Sequence, residues 1–183
     1  MWTDYFMKKN WIKTTIVFAG VLLVRLMPFR APNVEPIMAV IMPIGKIYGG
    51  FMSFMFGFFS IFLFDSMTSG IGIWTLVTAF AYGFLGLGAQ YYFKNRSGWK
   101  NYALYAVVAT ILYDIVTGLT IGPLFFHQSF IVSFTGQIPF TVLHLLGNVS
   151  FAIVLSPVIE KWLVTASVKT TASQRNNKVV LVS

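Results

Sequence analysis

The chain has 183 residues, of which 57% are hydrophobic, 17% aromatic and only 10% charged. Soluble domains carry about 25% charged residues, so this composition excludes an ordinary soluble protein and predicts one all-α integral membrane domain. The net charge is +8 and Cys is absent from the sequence, which excludes disulfides and thiolate chemistry. The sequence contains no P-loop and no HExxH pattern, so ATP hydrolysis at a Walker site within this chain is excluded as well.

The N-terminal residues 1–12 are basic and aromatic, which suits an interfacial segment. A membrane domain is predicted over 13–164. Its first helix runs from about 13 to 27 and lacks a small-residue cleavage site, so we interpret it as a retained signal-anchor. Arg25 and Pro28 mark the outer end of this helix, and a proline-rich loop follows.

Residues 36–64 form an almost unbroken apolar stretch of 29 residues. A single helix of that length would be about 43 Å long, whereas the hydrocarbon core of a bilayer is about 30 Å thick. The glycine-containing segment Lys46–Gly50 divides the stretch. We therefore predict two short helices that turn at this segment.

Three longer helices are predicted in the rest of the chain, at about 73–93, 101–118 and 137–163. The intervening residues 119–136 are predicted to form a mixed loop, because they include Pro, His and Gln. The polar, basic residues 165–183 are predicted to form a flexible cytoplasmic tail.

The distribution of basic residues predicts the orientation of the six spans. Six spans place both termini on one side of the membrane. Of the 13 Lys and Arg residues, eleven then lie on that side, and only Arg25 and Arg30 lie on the other. The positive-inside rule then places both termini in the cytoplasm. We expect the membrane itself to be the plasma membrane. A single span over 36–64 would abolish the bias.

Two similar motifs, 49 residues apart, each place an Asp within apolar sequence. The first motif is Asp65-Ser66-Met67-Thr68, and the second motif is Asp114-Ile115-Val116-Thr117. An Asp in a membrane span is costly and indicates a functional site. The alternative is that each side chain caps the loop that follows it by accepting hydrogen bonds from backbone amides.

Most other polar residues are predicted to lie at the same outer side and to form a ligand pocket. Along helix 6, polar residues recur at i, i+4, i+7 and i+11, which is one helix face. They are Gln137, Thr141, His144 and Asn148. The candidate substrate-binding residues are Asp65, Thr68, Trp74, Asp114, Thr117, Gln137, His144 and Asn148. The candidate lid residues in the outer loops are Arg30, Asn33, Glu35, His127 and Gln128. No metal and no cofactor is expected.

Other residues predict close helix contacts and positions at the membrane interfaces. Ser53, Gly57 and Ser60 form a small face on helix 3, and the glycines at 83, 86 and 88 indicate a close helix contact on helix 4. Arg25 is expected to reach the interface or to pair with Glu35 rather than to touch substrate. The aromatic residues assigned to the interfacial belts are Tyr82, Tyr91, Tyr92, Trp99 and Trp162.

The layout resembles the substrate-binding (S) component of energy-coupling factor (ECF) transporters. The likeness covers 13–164 and is carried by the Arg25-Leu26-Met27-Pro28 helix end, the segment Pro36–Gly50 and the Asp-x-x-Thr helix ends. It implies a non-enzymatic binder that captures a vitamin, a precursor or a similar micronutrient from outside. It also implies a transmembrane coupling protein and two ATPase subunits as partners. Members often carry Ala-x-x-x-Ala on helix 1 as a docking face, and the nearest equivalent here is Thr15, Ala19 and Gly20.

Two other functions remain open from the sequence. A self-contained secondary transporter or channel could use the two Asp residues for proton or cation coupling. An intramembrane enzyme could use Asp65 and Asp114 as an acid–base pair, which requires the two carboxyl groups to share a proton.

Overall fold

A computed structural model of the chain describes the backbone of residues 2–30 and 33–180, with side chains over 11–30 and 33–164. The described residues form helices and connecting loops, with no strand. The six helices are α1 Trp2–Leu26, α2 Ile37–Tyr48, α3 Gly50–Met67, α4 Ile73–Phe93, α5 Trp99–Phe125 and α6 Phe130–Val180.

Four of these helices are long and apolar enough to cross a membrane, namely α3, α4, α5 and the part of α6 from Phe130 to Val164. The protein is therefore a helical membrane protein. Helix α2 is mostly apolar and has 12 residues, so it is about 18 Å long and shorter than a hydrocarbon core. The six-span arrangement stays a prediction.

The short hairpin predicted within 36–64 is confirmed. Helix α2 ends at Tyr48, helix α3 begins at Gly50, and Gly49 between them has a φ of +91°. Residues with a Cβ rarely adopt this backbone conformation, whereas glycine does so at little cost. The bounds predicted for the fourth helix, 73–93, also match those of α4.

Helix α2 is the centre of the bundle rather than a lipid-facing element. All nine residues from Ile37 to Gly45 are buried, and α3, α4 and α6 pack around them. Two buried serines from neighbouring helices hold its backbone: Ser53 Oγ donates to the carbonyl of Ile41 at 2.6 Å, and Ser156 Oγ donates to that of Ala39 at 2.7 Å. The short helix α2 thus lies at the centre of the protein core.

The close contacts predicted separately for the small face of helix 3 and for the glycines of helix 4 are confirmed, and the structure shows that they are one contact between α3 and α4. A Cβ placed on Gly57 would lie 2.8 Å from the carbonyl oxygen of Tyr82, and one placed on Gly86 would lie 2.6 Å from that of Ser53. No real Cβ tolerates such distances from backbone. Glycines therefore allow the backbones of α3 and α4 to approach closely, as small residues do in membrane bundles.

The loop predicted over 119–136 is wrong. Helix α5 continues to Phe125 and α6 begins at Phe130, so four residues connect them. The apolar sequence continues through this region, and Pro123 lies inside α5, as proline does in membrane helices where neighbouring groups satisfy the freed backbone. The carbonyl of Gly122 accepts the N–H of Gln128 at 3.1 Å, and His127 has a φ of +54°, which is a helix C-cap of the left-handed type.

Both terminal segments continue the adjoining helices, since α1 begins at Trp2 and α6 ends at Val180. The side chains of 1–10 and 165–183 lie outside the described residues. The interfacial segment 1–12 and the flexible tail 165–183 therefore stay predictions.

Candidate functional site

A cavity of about 220 Å³ lies where α1 and α3 end and α4 begins; we call it the polar cavity. It brings together two guanidinium groups, two carboxylates, an imidazole and three aromatic side chains besides that imidazole. Its lining residues are Arg25, Arg30, Asn33, Glu35, Ile61, Asp65, Trp74, Thr78, Tyr113, Phe140 and His144. Six of the predicted binding or lid residues thus meet in one place.

Asp65 reaches this cavity because α3 ends directly after it. Its main-chain carbonyl accepts the N–H of Gly70 at 2.7 Å, and Gly70 has a φ of +80°. Its side chain does not cap the loop through a backbone amide. Instead, Oδ2 accepts a hydrogen bond from Thr75 Oγ1 on α4 at 2.7 Å, and that hydroxyl accepts the N–H of Gly72 at 3.1 Å. The carboxylate is fixed through one oxygen.

Trp74 stands in the first turn of α4 and is 39% exposed. Its indole folds back over Gly72, where a Cβ would overlap the ring. Glycine at this position therefore leaves room for the ring at the edge of the polar cavity. A flat, partly exposed indole is a surface on which a planar ligand can stack.

Arg25 and Glu35 form a buried ion pair on one wall of the cavity. Arg25 Nε lies 3.2 Å from Glu35 Oε2, and Arg25 Nη1 donates to the carbonyl of Ser60 at 2.9 Å. The guanidinium carbon is also 4.1 Å from the centre of the Phe64 ring, a cation–π geometry. The expected pairing of Arg25 with Glu35 is confirmed.

The loop before α2 supplies the other polar groups of the cavity. Arg30 Nη1 donates to the carbonyl of Val34 at 2.9 Å, while its buried Nε has no hydrogen-bond partner. Asn33 has a φ of +63°, a conformation that Asn tolerates better than most residues. The loop lies directly on α6, since a Cβ on Gly147 would be 3.0 Å from Val34 Cα.

A continuous chain of hydrogen bonds leads from the cavity wall into the bundle. The Tyr82 hydroxyl donates to Glu35 Oε1 at 2.8 Å and lies 3.2 Å from His144 Nε2. His144 Nδ1 in turn lies 2.7 Å from Asp114 Oδ1. Tyr82, His144 and Asp114 are at most 2% exposed. The loop and three helices are therefore joined by one buried polar network.

Asp114 does not line the polar cavity but borders a second one, of about 260 Å³, between α5 and α6; we call it the α5–α6 cavity. It is lined by Ile111, Asp114, Ile115, Leu119, Phe134, Gln137, Ile138, Thr141 and Val142. His144 borders the polar cavity. The Asp114–His144 pair is therefore part of the wall between the two spaces.

The remaining predicted binding residues serve other contacts. Asn148 donates through Nδ2 to Thr110 Oγ1 at 2.8 Å in the core. The hydroxyls of Thr68 and Thr117 donate back to carbonyls of their own helices, each at 2.8 Å. Gln137 borders the α5–α6 cavity. The predicted lid residues His127 and Gln128 are exposed in the connection between α5 and α6 and do not line the polar cavity.

The predicted docking residues lie on one exposed face of α1. Thr15, Ala19 and Gly20 are all exposed, and no atom lies within 4 Å of a Cβ placed on Gly20. That face is thus accessible to another protein or to lipid. Its role in docking stays a prediction.

Tyr82 is the functional residue that the sequence reasoning misplaced. It is fully buried at the centre of α4 rather than in an interfacial belt, because its ring packs on Tyr113 and its hydroxyl contacts Glu35 and His144. Thr78 and Phe140 also line the polar cavity without having been predicted there. Their types are common in apolar helices, so no local signal distinguished them.

The structure places Asp65 and Asp114 in different surroundings, and the acid–base alternative stays a prediction. They hydrogen-bond to different partners and line different cavities. Among the described residues, no group of three or more His, Asp or Glu side chains could hold a metal ion. Comparisons of this chain with protein families, curated proteins and solved structures found no match.

Proposed function

We propose that the protein is the substrate-binding component of an ECF-type importer and captures a small polar micronutrient from outside the cell. The polar cavity carries this proposal, because it gathers opposite charges, hydrogen-bonding groups and an indole in a space of about 220 Å³. Binding sites characteristically combine an apolar wall with a few convergent polar groups. The chain itself is not an enzyme in this proposal.

The orientation belongs to the same proposal. Six spans with cytoplasmic termini in the plasma membrane leave Arg25 and Arg30 as the two outer basic residues. Both border the polar cavity, so in this orientation the cavity opens toward the outside. Excess positive charge then remains at the cytoplasmic face.

The free groups of the cavity suggest what the ligand offers. Arg30 has a buried Nε without a partner, which suits a ligand acceptor or carboxylate. Asp65 is bonded through Oδ2 alone, which suits a ligand donor. Trp74 suits a flat ring between them. A small planar molecule with a donor and an acceptor therefore fits best.

Energy for release would come from partners, a transmembrane coupling protein and two ATPase subunits. In this proposal the coupling protein docks on the face of α1 formed by Thr15, Ala19 and Gly20, which is exposed. Small residues allow a close helix–helix approach in the membrane.

The direct test is to purify the protein from membranes and identify any bound small molecule by native mass spectrometry. Its dissociation constant is then measured for the unmodified protein, for Asp65→Asn and for Ser66→Ala as a neighbouring control. Ser66 is exposed and bonds only its own helix, at Leu63. We expect Asp65→Asn alone to weaken binding. A panel of micronutrients without any binding would contradict the proposal.

The buried network favours one second candidate, a self-contained secondary transporter. Arg25, Glu35, Tyr82, His144 and Asp114 form a continuous series of polar contacts through the bundle, as residues of proton relays do. Ligand uptake by the protein alone in liposomes, driven by a proton gradient without ATPases, would support this candidate. Uptake only after addition of the partners would support the importer.

A further inference from the structure

Asp114, which lines the α5–α6 cavity, has a buried side-chain oxygen that none of the described residues satisfies. Asp114 is 1% exposed, and its Oδ2 has no hydrogen-bond partner, whereas its Oδ1 is held by His144. Buried carboxylate oxygens without a partner are costly. Asp114 lines the cavity, so the cavity is where a partner for Oδ2 can be placed.

The rest of the lining is hydrocarbon, with a small polar corner. Gln137 packs its amide over Gly118, one turn beyond Asp114, where a Cβ would overlap it. Gln137 Nε2 donates weakly to Thr141 Oγ1, at 3.4 Å. The other lining residues are Ile111, Ile115, Leu119, Phe134, Ile138 and Val142. The cavity thus offers acceptor oxygens at one corner and apolar walls everywhere else.

The cavity opens on the lipid-facing side of the bundle. Ile115 and Ile138, one from each helix, are 49% and 54% exposed, and both helices are long and apolar enough to cross a membrane. A molecule dissolved in the bilayer therefore reaches the cavity without entering the polar cavity. The wall between the two spaces is formed in part by the Asp114–His144 pair.

We propose that the α5–α6 cavity is a second binding site, which takes a bilayer-soluble amphiphile bearing a hydroxyl or amine that donates to Asp114 Oδ2. An anionic head is disfavoured by the carboxylate. A metal ion is disfavoured because hard cations need about six oxygen ligands, and this corner supplies three side chains. The proposal is independent of the importer function, because it concerns different lining residues.

The test uses the full chain in lipid nanodiscs and two photoreactive probes. One probe is a medium-chain alcohol with a diazirine at its far end. The other is the matching alkyl fluoride, which has a similar shape but no donor. After irradiation, labelled residues are mapped by mass spectrometry. We expect the alcohol to label 111–119 and 134–142 about fivefold more than the fluoride, the factor that one net hydrogen bond supplies. The matching primary amine should behave like the alcohol.

Two variants locate the effect. Asp114→Asn should remove the preference for the alcohol. Since that change also alters the bond to His144, Ile138→Phe provides an independent probe, because it narrows the cavity from the lipid side and leaves Asp114 intact. It should reduce alcohol labelling of 111–119 about fivefold. Ile131→Phe is the matched control, since Ile131 is 73% exposed on the same helix and does not line the cavity.

Three results would overturn the proposal. Equal labelling by the alcohol and the fluoride would show a groove that contacts hydrocarbon without regard to the donor. Labelling of neither segment would show a cavity that holds water alone. An equal loss in the variants at 131 and 138 would show that the labelling does not report on this cavity.

Discussion

The first motif, residues 65–68, and the second motif, residues 114–117, make the same local hydrogen bond. In each, the Thr hydroxyl donates at 2.8 Å to the carbonyl of the residue before the Asp. Helix α3 nevertheless ends within the first motif, whereas α5 continues through the second to Phe125. The difference follows from Gly70, whose φ of +80° lets the chain leave α3. Gly118 lies within helix α5.

The consequence is a division of roles between two Asp side chains in similar sequences. Asp65 stands at a helix end, is 8% exposed and borders the polar cavity. Asp114 stands inside a helix, is 1% exposed and is held by His144. A carboxylate at a helix end can meet a ligand, whereas one in the helix interior must be paired within the bundle. In the proposed function Asp65 therefore contacts the ligand of the polar cavity, whereas Asp114 holds the scaffold together through Oδ1 and His144.

The largest expected effect on stability comes from removing His144, which holds Asp114 of the second motif. His144→Ala leaves the buried Asp114 side chain without its partner and breaks the link to Tyr82, so the free energy of unfolding should fall by about 3–5 kcal/mol. Denaturant unfolding in detergent measures this change. Leu143→Ala is the control, since Leu143 is 42% exposed. Equal losses of unfolding free energy in the two variants would contradict a scaffold role for the Asp114–His144 pair.

A smaller loss of stability is expected at Tyr82, which links Glu35 at the polar cavity to His144, the partner of Asp114. Tyr82→Phe removes the hydroxyl between Glu35 and His144 and leaves both groups with an unsatisfied bond. We expect the free energy of unfolding to fall by about 1–3 kcal/mol. Tyr91→Phe on the same helix is the control, because Tyr91 is 75% exposed. A Tyr82→Phe protein as stable as this control would show that the network contributes nothing.

The sequence was sufficient for the parts of the fold that length and charge determine. The hairpin within 36–64 was predictable because a single helix of that length would exceed the thickness of the bilayer and would remove the eleven-to-two division of basic residues. The connection over 119–136 was not, because Pro123, His127 and Gln128 resemble loop residues. In the structure the apolar residues around them continue the helices, and His127 is a cap residue.

The site was predictable only as a set of residues at one end of the bundle. Helical spacing places Gln137, His144 and Asn148 on one face, but their partners depend on how α5 and α6 are rotated against each other. Each of the three contacts a different group. Tyr82 is instructive, because it lies near the middle of the predicted span 73–93. A tyrosine at that depth is too far from either interface to belong to a belt.

The glycines that follow the two motifs, Gly70 and Gly118, offer a finer comparison. Gly70→Ala should lower the free energy of unfolding by about 1–2 kcal/mol, because alanine is strained at a positive φ. Gly118→Ala should change it by less than about 1 kcal/mol, because the gain in helix propensity offsets displacement of the flexible Gln137 side chain. Unfolding of both variants under the same conditions measures the difference. The reverse order would contradict the assignment of the helix end to the first motif alone.

The smallest effect concerns binding alone. Trp74→Leu removes the ring that borders the polar cavity, so the affinity for the bound molecule should fall by about two- to tenfold. Isothermal titration in detergent measures it. Stability should stay unchanged, because Trp74 is 39% exposed. Leu76→Ala, at a residue 41% exposed and outside the cavity lining, should leave affinity as it is. An unchanged affinity in Trp74→Leu would exclude stacking on the indole.

The most direct test compares Asp65→Asn with Asp114→Asn, measuring both ligand affinity and unfolding free energy for each. We predict that Asp65→Asn weakens binding about tenfold or more, as loss of a charged hydrogen bond does, and changes stability by less than about 1 kcal/mol. Asp114→Asn should lower stability by about 1.5–3 kcal/mol and leave affinity within about threefold. If Asp114→Asn abolishes binding without loss of stability, or Asp65→Asn only unfolds the protein, the division of roles between the two motifs is wrong.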